Sequence, residues 1–448
     1  MNQYRIEGNH VITEKESIPV IKECDVVVAG GGPAGLGAAV AAFRSGADVF
    51  LIEKNAFLGG MCSYGAGMPL GGAYPGLKTI GGIAEEILTK VRNAGKDAAD
   101  VRHMPLFGDW YFHDSEYFKS MIAEYVMDMG LPVRLHTAFS DVIMEDGRTV
   151  KGIIVNSKNG REAILARAFV DATGDADICA KAGAAYEKGD ENGAMMGVTI
   201  VFNLGGVETE RYFEYLETDP GLKNAIQRAR KAGVPVSEDD KFTSIHKGLR
   251  PGSLFMNSVR VRGIDGSDAD SLSRGELEGR VRMMEEVNFL RGFVPGCENA
   301  YIMNSGSQLG IRDTRRIVGE DYLSMEDCLE LKKRPESVIL RCTGPFDNTT
   351  RGNERNYVLN DIDMTKWYDI PYGCLVPKDL DNVVVAGRTF SCHYMALTSS
   401  RGQALLMGLG QASGTAAAMA AAGGTAFKDI DVALLQKKLI EADCDLGI

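Results

Sequence analysis

The sequence predicts an α/β fold: a doubly wound, Rossmann-like dinucleotide-binding domain with an antiparallel β-meander. An α+β insert interrupts it and the C-terminal segment completes it. Three observations predict this. A buried strand run at 25–29 leads into a GxGxxG turn, an alanine-rich helix to about Arg44 and a second strand at 48–52, which is a βαβ unit. Two hairpin turns, Asp146-Gly147 and Asn159-Gly160, split residues 139–166 into three short strands. Parallel-strand character then returns at 382–386, after a long stretch of different texture.

The elements follow in chain order. Residues 1–20 read as a polar arm. Residues 55–82 are glycine-rich and loop-like, and an unstructured connection of that length points to function. Asp114 caps a helix whose Phe118, Met121, Ile122, Tyr125, Val126 and Met129 form one apolar face, and Gly130 ends it. After the meander, a buried strand at 168–172 closes on Thr173-Gly174-Asp175. Residues 188–370 alternate strand patterns (198–204, 255–261) with polar helices. Ser273-Arg-Gly-Glu276 and Ser324-Met-Glu-Asp327 read there as capping signals. The predicted division is a first part of the dinucleotide domain at 1–187, with an active-site loop at 55–82. An inserted α+β substrate or cap domain spans 188–370, and a return segment with the C-terminal helix spans 371–448. Residues 402–427 carry no charge and include a GxxxG at Gly410 and Gly414, as a membrane span would. Yet Gln403, Gln411, Ser413, Thr415 and an apolar content that is mostly alanine read as a buried helix, with no membrane span.

Composition narrows the function. Lys plus Arg total 49 against 61 Asp plus Glu, a net charge of −12, with no basic run, so nucleic acid is excluded as a partner. The 53 glycines in 448 residues exceed the usual ~7% without a collagen period, which points to backbone held close to a ligand. Nine cysteines, with no CxxC pair, argue against a disulfide scaffold, an iron–sulfur cluster or a zinc site. No His, Cys or carboxylate set has metal-ligand spacing. Reduced, buried thiols and an N-terminus without a signal pattern predict a cytoplasmic protein. A homo-oligomer is compatible with this composition.

The chemistry starts at Gly30-Gly31-Gly32-Pro33-Ala34-Gly35. The first glycine permits a tight turn and the second lets a diphosphate approach the backbone. The N–H groups at the helix start then hold that diphosphate. Glu53, which ends the second strand, can accept from ribose hydroxyls. Thr173-Gly174-Asp175 and Gly387-Arg388 end two further strands far away in the chain. Three glycine-terminated strands suit one extended dinucleotide. No second GxGxxG has strand and helix flanks, so no dedicated NAD(P)H domain is predicted.

At this point the sequence resembles a family. DVVVAGGGPAGLGAAVAA, EKNAFLGGM, FVDATGDADICAKAGA, LGIRDTRRIVGE, DIPYGCLVPK, NVVVAGRTFS and SSRGQALLMGLGQASGTAAA are similar to motifs of the FAD-dependent oxidoreductases related to fumarate reductase flavoproteins. The resemblance covers almost the whole chain and says little about substrate. It implies a glutathione-reductase-like FAD-binding domain with a substrate-binding insert, and FAD held non-covalently. It also implies that Gly59-Gly60-Met61 passes the flavin and that the last helix aims its N-terminus at the isoalloxazine. The expected cofactor contacts are Gly30, Gly32, Pro33, Ala34, Gly35, Glu53, Lys54, Gly59, Gly60, Met61 and Ala138. Ala172, Thr173, Gly174, Asp175, Gly387, Arg388, Arg401, Gly402 and Gln403 complete the set. A helix N-terminus beside Arg401 would stabilise the negative charge of a reduced flavin. Gly402 departs from the valine that often follows this arginine in the family.

Five residues are candidates for the reacting site. His393, on the loop before the last helix, can move a substrate proton. Arg401 can clamp a substrate carboxylate, donate a proton or stabilise flavin charge. Arg312, Arg315 and Arg316 would be helical neighbours, either contacting substrate, with Arg312 favoured, or pairing structurally with Asp313 or Glu320. Cys62 lies near the expected flavin face, and Tyr372 can hydrogen-bond substrate. His136 reads as structural, and His103, His113 and His246 are unplaced, with ordinary surface or core roles expected. The main reading is hydride transfer between flavin N5 and a small polar substrate, a carboxylate or a polyol. The flavin would be recharged by a donor or acceptor that the sequence does not name. Two alternatives stay open: an electron-transferring flavoprotein subunit of a larger redox complex, and an FAD protein with a non-redox isomerase or lyase role.

Overall fold

The computed structural model describes residues 4–7, 9–13, 16–73, 81–104, 108–236, 242, 244–342, 346–349 and 366–447. The strand Val20–Ala29 lies at the centre of its main sheet. Val49–Ile52 runs parallel on one side, with Val133–Arg134 beyond it. Gly160–Asp171 runs parallel on the other side. This twelve-residue strand takes two partners in turn along its outer edge, within one seven-stranded sheet. Its first half pairs antiparallel with Val150–Ser157, and its last three residues pair parallel with Val383–Val385. The sequence predicted two separate strands here. They are one because residues 165–168 contain no turn chemistry to part them. Ile52, Ala29, Asp171 and Val385 stand in one cross-strand row, so their following loops all open at the same edge.

Small residues bring two helices into backbone contact. Pro33–Arg44 follows the glycine turn, and Gln403–Gly423 lies along it. A Cβ at Gly410 would stand 1.9 Å from the Ala34 carbonyl oxygen, and one at Gly414 would stand 2.0 Å from that of Ala38. The numbers rise together, so the helices run parallel and both N-termini face the loop edge. The long helix is apolar enough to cross a membrane, yet 89% of its most apolar window is buried. It is a core helix, as predicted.

The insert has its own core, drawn from residues 198–309. Its four antiparallel strands lie in the order Ile245–Lys247, Leu254–Val261, Val198–Gly205, Tyr301–Ser305. The helix Ala269–Phe293 covers them. Asp268 caps that helix by accepting from the Ser271 amide at 2.8 Å. Ser273 and Glu276, predicted as a capping signal, therefore lie inside the helix. The Ser324 and Asp327 capping box is present. Ile317, Leu323, Val338 and Tyr368 pack in the first core. Hydrophobic packing thus returns to the first domain near residue 313, well before the predicted position 371. Two stretches read as coil are more ordered. Tyr4–Glu7 pairs with His10–Thr13, and the 55–82 loop holds the short helix Met61–Tyr64 and the strand Leu70–Ala73.

A small third cluster joins the two cores. Trp110 and Phe112 meet His246 and Phe255 of the insert at ring separations of 5.6–6.3 Å. Burial, and then the Arg102 guanidinium, push the His246 pKa down to about 4.

Two predictions follow from packing. Gly414→Val costs about 3 kcal/mol or more in chemical denaturation, because its side chain meets backbone that cannot move aside. Gly292→Ala, on the exposed face of Ala269–Phe293, gains about 0.5–1 kcal/mol. A third concerns pH. The folded state keeps His246 neutral, whereas the unfolded chain takes up a proton below about 6.5. Stability is therefore present above that pH and is lost as pH falls toward 4, by roughly 1–3 kcal/mol after allowance for partial exposure. His246→Phe flattens this part of the stability–pH curve.

Candidate active site

The aligned strand ends build a cradle. Gly30 has φ +106°, and a Cβ there would stand 2.2 Å from the Ala172 carbonyl oxygen, so only glycine fits the turn. A Cβ at Gly32 would meet nothing nearer than the Gly60 Cα at 4.0 Å, which leaves the backbone open to a ligand. No side chain caps the first turn of Pro33–Arg44, so its N–H groups remain for an anion. Glu53 is buried. Its carboxylate accepts from the Gly31 amide at 2.7 Å and from both the backbone and side-chain N–H of Asn55 at 2.8 Å. Lys54 points to solvent beside it. Ala138 opens the meander next to Thr137, whose amide bonds to the Glu53 carbonyl at 2.9 Å.

The other two strand ends are polar. Asp175 accepts from Arg388 at 2.7 Å and from the Thr314 hydroxyl at 2.8 Å. Thr173 bonds to the buried Asp171. Arg388 Nε, Thr389 Oγ1, Ser391 Oγ, Arg401 Nε and Asp313 Oδ2 are buried and have no hydrogen-bond partner. Such groups are costly to bury unless something polar meets them. They lie on the loop after Val383–Val385, at the start of the long helix and on the segment across from both. Gly402 begins that helix without a side-chain cap. An open glycine turn, a buried ribose-type acceptor and a line of polar groups ending at a second helix N-terminus fit an FAD molecule.

The reacting-site candidates divide. Arg401 and Arg312 come together around Asp347. Arg401 donates to Asp347 Oδ2 at 2.6 Å. Arg312 donates to the Gly197 carbonyl and the Thr199 hydroxyl, both at 2.7 Å. Burial, and then the neighbouring charge of Arg401, push the Arg312 pKa down to about 9, still protonated at neutral pH. Arg260 faces the same carboxylate. Arg315–Ile317 is a strand, so the predicted helical arginine face does not form. Arg315 pairs with Asp177, and Arg316 is buried on the Cys392 and Gly189 carbonyls.

The remaining three candidates have structural partners. His393 caps the helix Tyr394–Ser400, its Nδ1 accepting from the Met395 amide at 3.1 Å. That contact places the ring proton on Nε2, so the free side of the ring donates and has no lone pair for a substrate proton. Cys62 is fully buried and its thiol donates to Gln403 Oε1. Burial pushes its pKa well above the usual thiol range, so it is not a thiolate. It does touch the first residue of the long helix. Tyr372 donates to the Phe427 carbonyl at 3.0 Å. Phe427 lies beyond the far end of the 21-residue helix, roughly 30 Å from Gln403. Tyr372 is thereby removed from the site.

Sequence reasoning missed Arg260, Asp347 and Asp313. Arg260 is one of several alternating residues on an insert strand, and Asp347 has no motif around it. Asp313 was visible only as an ion-pair partner. Instead it accepts from the Met196 amide at 2.7 Å. Burial raises its pKa to about 6.

The sequence model described as FAD dependent oxidoreductase matches residues 25–439. The chain is 33% identical over 132 residues to a thiamine thiazole synthase of Aeropyrum pernix, covering 30% of this chain and 43% of that protein. It is 29% identical to digeranylgeranylglycerophospholipid reductase 2 of Methanopyrus kandleri, over 34% of this chain and 38% of that one. It is 25% identical to a fumarate reductase (cytochrome) of Shewanella frigidimarina, over 53% and 48%. The chain thus spans about half the length, or less, of these relatives. Among solved structures, the flavin-dependent brominase Bmp2 superposes with TM-score 0.49 at 14% identity, covering 94% of this chain and 84% of that one. A geranylgeranyl bacteriochlorophyll reductase-like protein of Thermoplasma acidophilum superposes with TM-score 0.43 at 13% identity, over 94% and 83%.

Two substitutions test the site. Gly30→Ala retains less than about a tenth of the wild-type FAD per chain, read from flavin absorbance, because its Cβ closes the turn. His393→Asn keeps the helix cap and melts close to wild type, while His393→Ala loses about 1 kcal/mol.

Proposed function

The chain belongs to the FAD dependent oxidoreductase family, and from that premise we propose that it oxidises or reduces a small carboxylate-bearing substrate beside its FAD. Bound FAD supplies a hydride acceptor or donor next to the substrate carbon. The Gly30–Gly35 turn and the N-terminus of Pro33–Arg44 would hold the diphosphate, and Glu53 the adenosine ribose. Asp175, Arg388 and the start of Gln403–Gly423 would hold the flavin end.

One observation carries the substrate class. Arg312 and Arg401, with Arg260 facing them, concentrate positive charge around the half-buried Asp347 carboxylate, with Asp313 nearby, at the flavin end of the cradle. A guanidinium pair recognises carboxylate by charge and by paired N–H donors. A polyol hydroxyl accepts from a guanidinium one bond at a time and offers no charge to match it. Of the two classes read from the sequence, the carboxylate is therefore favoured. The cap on His393 argues against it as the proton-transferring group. Among the described residues the cysteines form no disulfide and all but Cys444 are buried, which supports a cytoplasmic location.

The test is anaerobic absorbance of the FAD-loaded protein against hydroxy acids, amino acids, unsaturated acids, polyols and sugars. Bleaching by carboxylates, or reoxidation of the dithionite-reduced protein by them, supports the reading. Response to polyols or sugars alone overturns it. With the substrate in hand, Arg312→Gln lowers kcat/KM about 100-fold or more. Arg312→Lys restores only part, because lysine cannot present the paired donors.

A further inference from the structure

The arginine site already holds a carboxylate, and it belongs to the chain itself. Arg401 Nη2 donates to Asp347 Oδ2 at 2.6 Å and to the Asp347 carbonyl at 3.2 Å. Phe346 packs in the first core, and its neighbours make further contacts. Tyr394 donates to Asn348 Oδ1 at 3.3 Å, Asn348 Nδ2 to Met395 Sδ at 3.6 Å, and the Gly197 amide to the Thr349 carbonyl at 3.4 Å. Asp347 meets Arg401 at the distance of a charge-assisted hydrogen bond, as a bound carboxylate would. Burial alone would push the Asp347 pKa up. Arg401, Arg312 and Arg260 more than offset it and keep the carboxyl below its usual range. Arg312 meanwhile spends its hydrogen bonds on two neutral oxygens, so three guanidiniums face Asp347, with Asp313 as a second, unbonded carboxylate nearby.

We propose that Asp347 is an internal carboxylate that occupies the Arg401 and Arg312 site and must be displaced by the carboxylate of an incoming substrate. The inference rests on the proposed carboxylate recognition and adds a competitor to it. A competitor that is part of the chain lowers apparent affinity by the fraction of time it occupies the site. It selects ligands that outbid one carboxylate, such as those with a second anionic group.

The test titrates malonate into the FAD-loaded protein at pH 7.5, following the flavin absorbance perturbation and, independently, the binding heat. Wild type, Asp347→Asn, Asp347→Ala and Glu187→Gln are compared, with melting temperatures to confirm folding. Glu187→Gln is the control, since it removes a negative charge that faces Arg316 and lies outside the site. Both Asp347 variants are expected to bind malonate about tenfold or more tightly than wild type, and Glu187→Gln within about twofold of it. Equal tightening in Glu187→Gln would reduce the effect to general charge and overturn the proposal. Unchanged or weaker binding in the Asp347 variants would also overturn it while leaving the arginine site in place. Absence of malonate binding in wild type and every variant would remove the carboxylate reading itself. If Asp347→Asn does not fold, Asp347→Ala carries the comparison.

Discussion

The contact between two helix backbones decides where the chemistry can happen. Gly37, Gly410 and Gly414 let Pro33–Arg44 and Gln403–Gly423 lie against each other with carbonyl oxygens where side chains would otherwise be. Ala34 lies level with Gly410, and Ala38 with Gly414. At ~1.5 Å per residue, the long helix starts roughly 9 Å beyond the first one. Two helix N-termini therefore face the same edge, offset along it. One is placed for a diphosphate and the other for a group at the far end of the same ligand. Neither has a side-chain cap. The offset is fixed by which glycines meet which alanines, so a bulky residue at the contact would move the second positive helix end relative to the first.

The strand register completes that edge. Ile52, Ala29, Asp171 and Val385 form one row, so Glu53, Gly30, Ala172 and Ala386 all emerge together. The long strand Gly160–Asp171 makes this alignment possible. It begins as part of the meander and ends between Val20–Ala29 and Val383–Val385, which ties the return segment to the first βαβ unit.

Much of this was legible in the sequence, and the reasons are local. The glycine turn, the Asp114 and Gly130 caps, the hairpin turns and the uncharged helix each rest on chemistry within a few residues. The Ser273 and Glu276 capping signal failed because Asp268, just upstream, offered a better cap to the same helix. The arginine helix failed because strand pairing with Tyr186–Lys188 overrode spacing. Tyr372 and His393 were placed near the site by motif order, but order does not say which atom a side chain bonds to. Arg260 and Asp347 lie far apart in sequence and meet only through the insert's fold. No local pattern could have paired them.

That the insert and the cradle act as one site follows from where they touch. Gln308 Nε2 donates to Asn55 Oδ1 at 2.6 Å, and Asn55 in turn donates to Glu53, the ribose-type acceptor. The Ser307 amide donates to the Tyr64 carbonyl at 2.8 Å, on the helix Met61–Tyr64. A Cβ at Gly306 or Gly310 would crowd Tyr64 or Met61 at about 3 Å, so the insert's loop sits directly on that helix. Cys62 links the same short helix to Gln403, and Arg312 follows two residues after Gly310. The insert is thus tied to the cradle at the adenosine end and at the flavin end, and Arg312 leaves from the second tie. A substrate clamp built on such a segment cannot shift without disturbing the groups that hold the cofactor. The proposed substrate contact and the proposed cofactor contacts are thus carried by one connected set of elements.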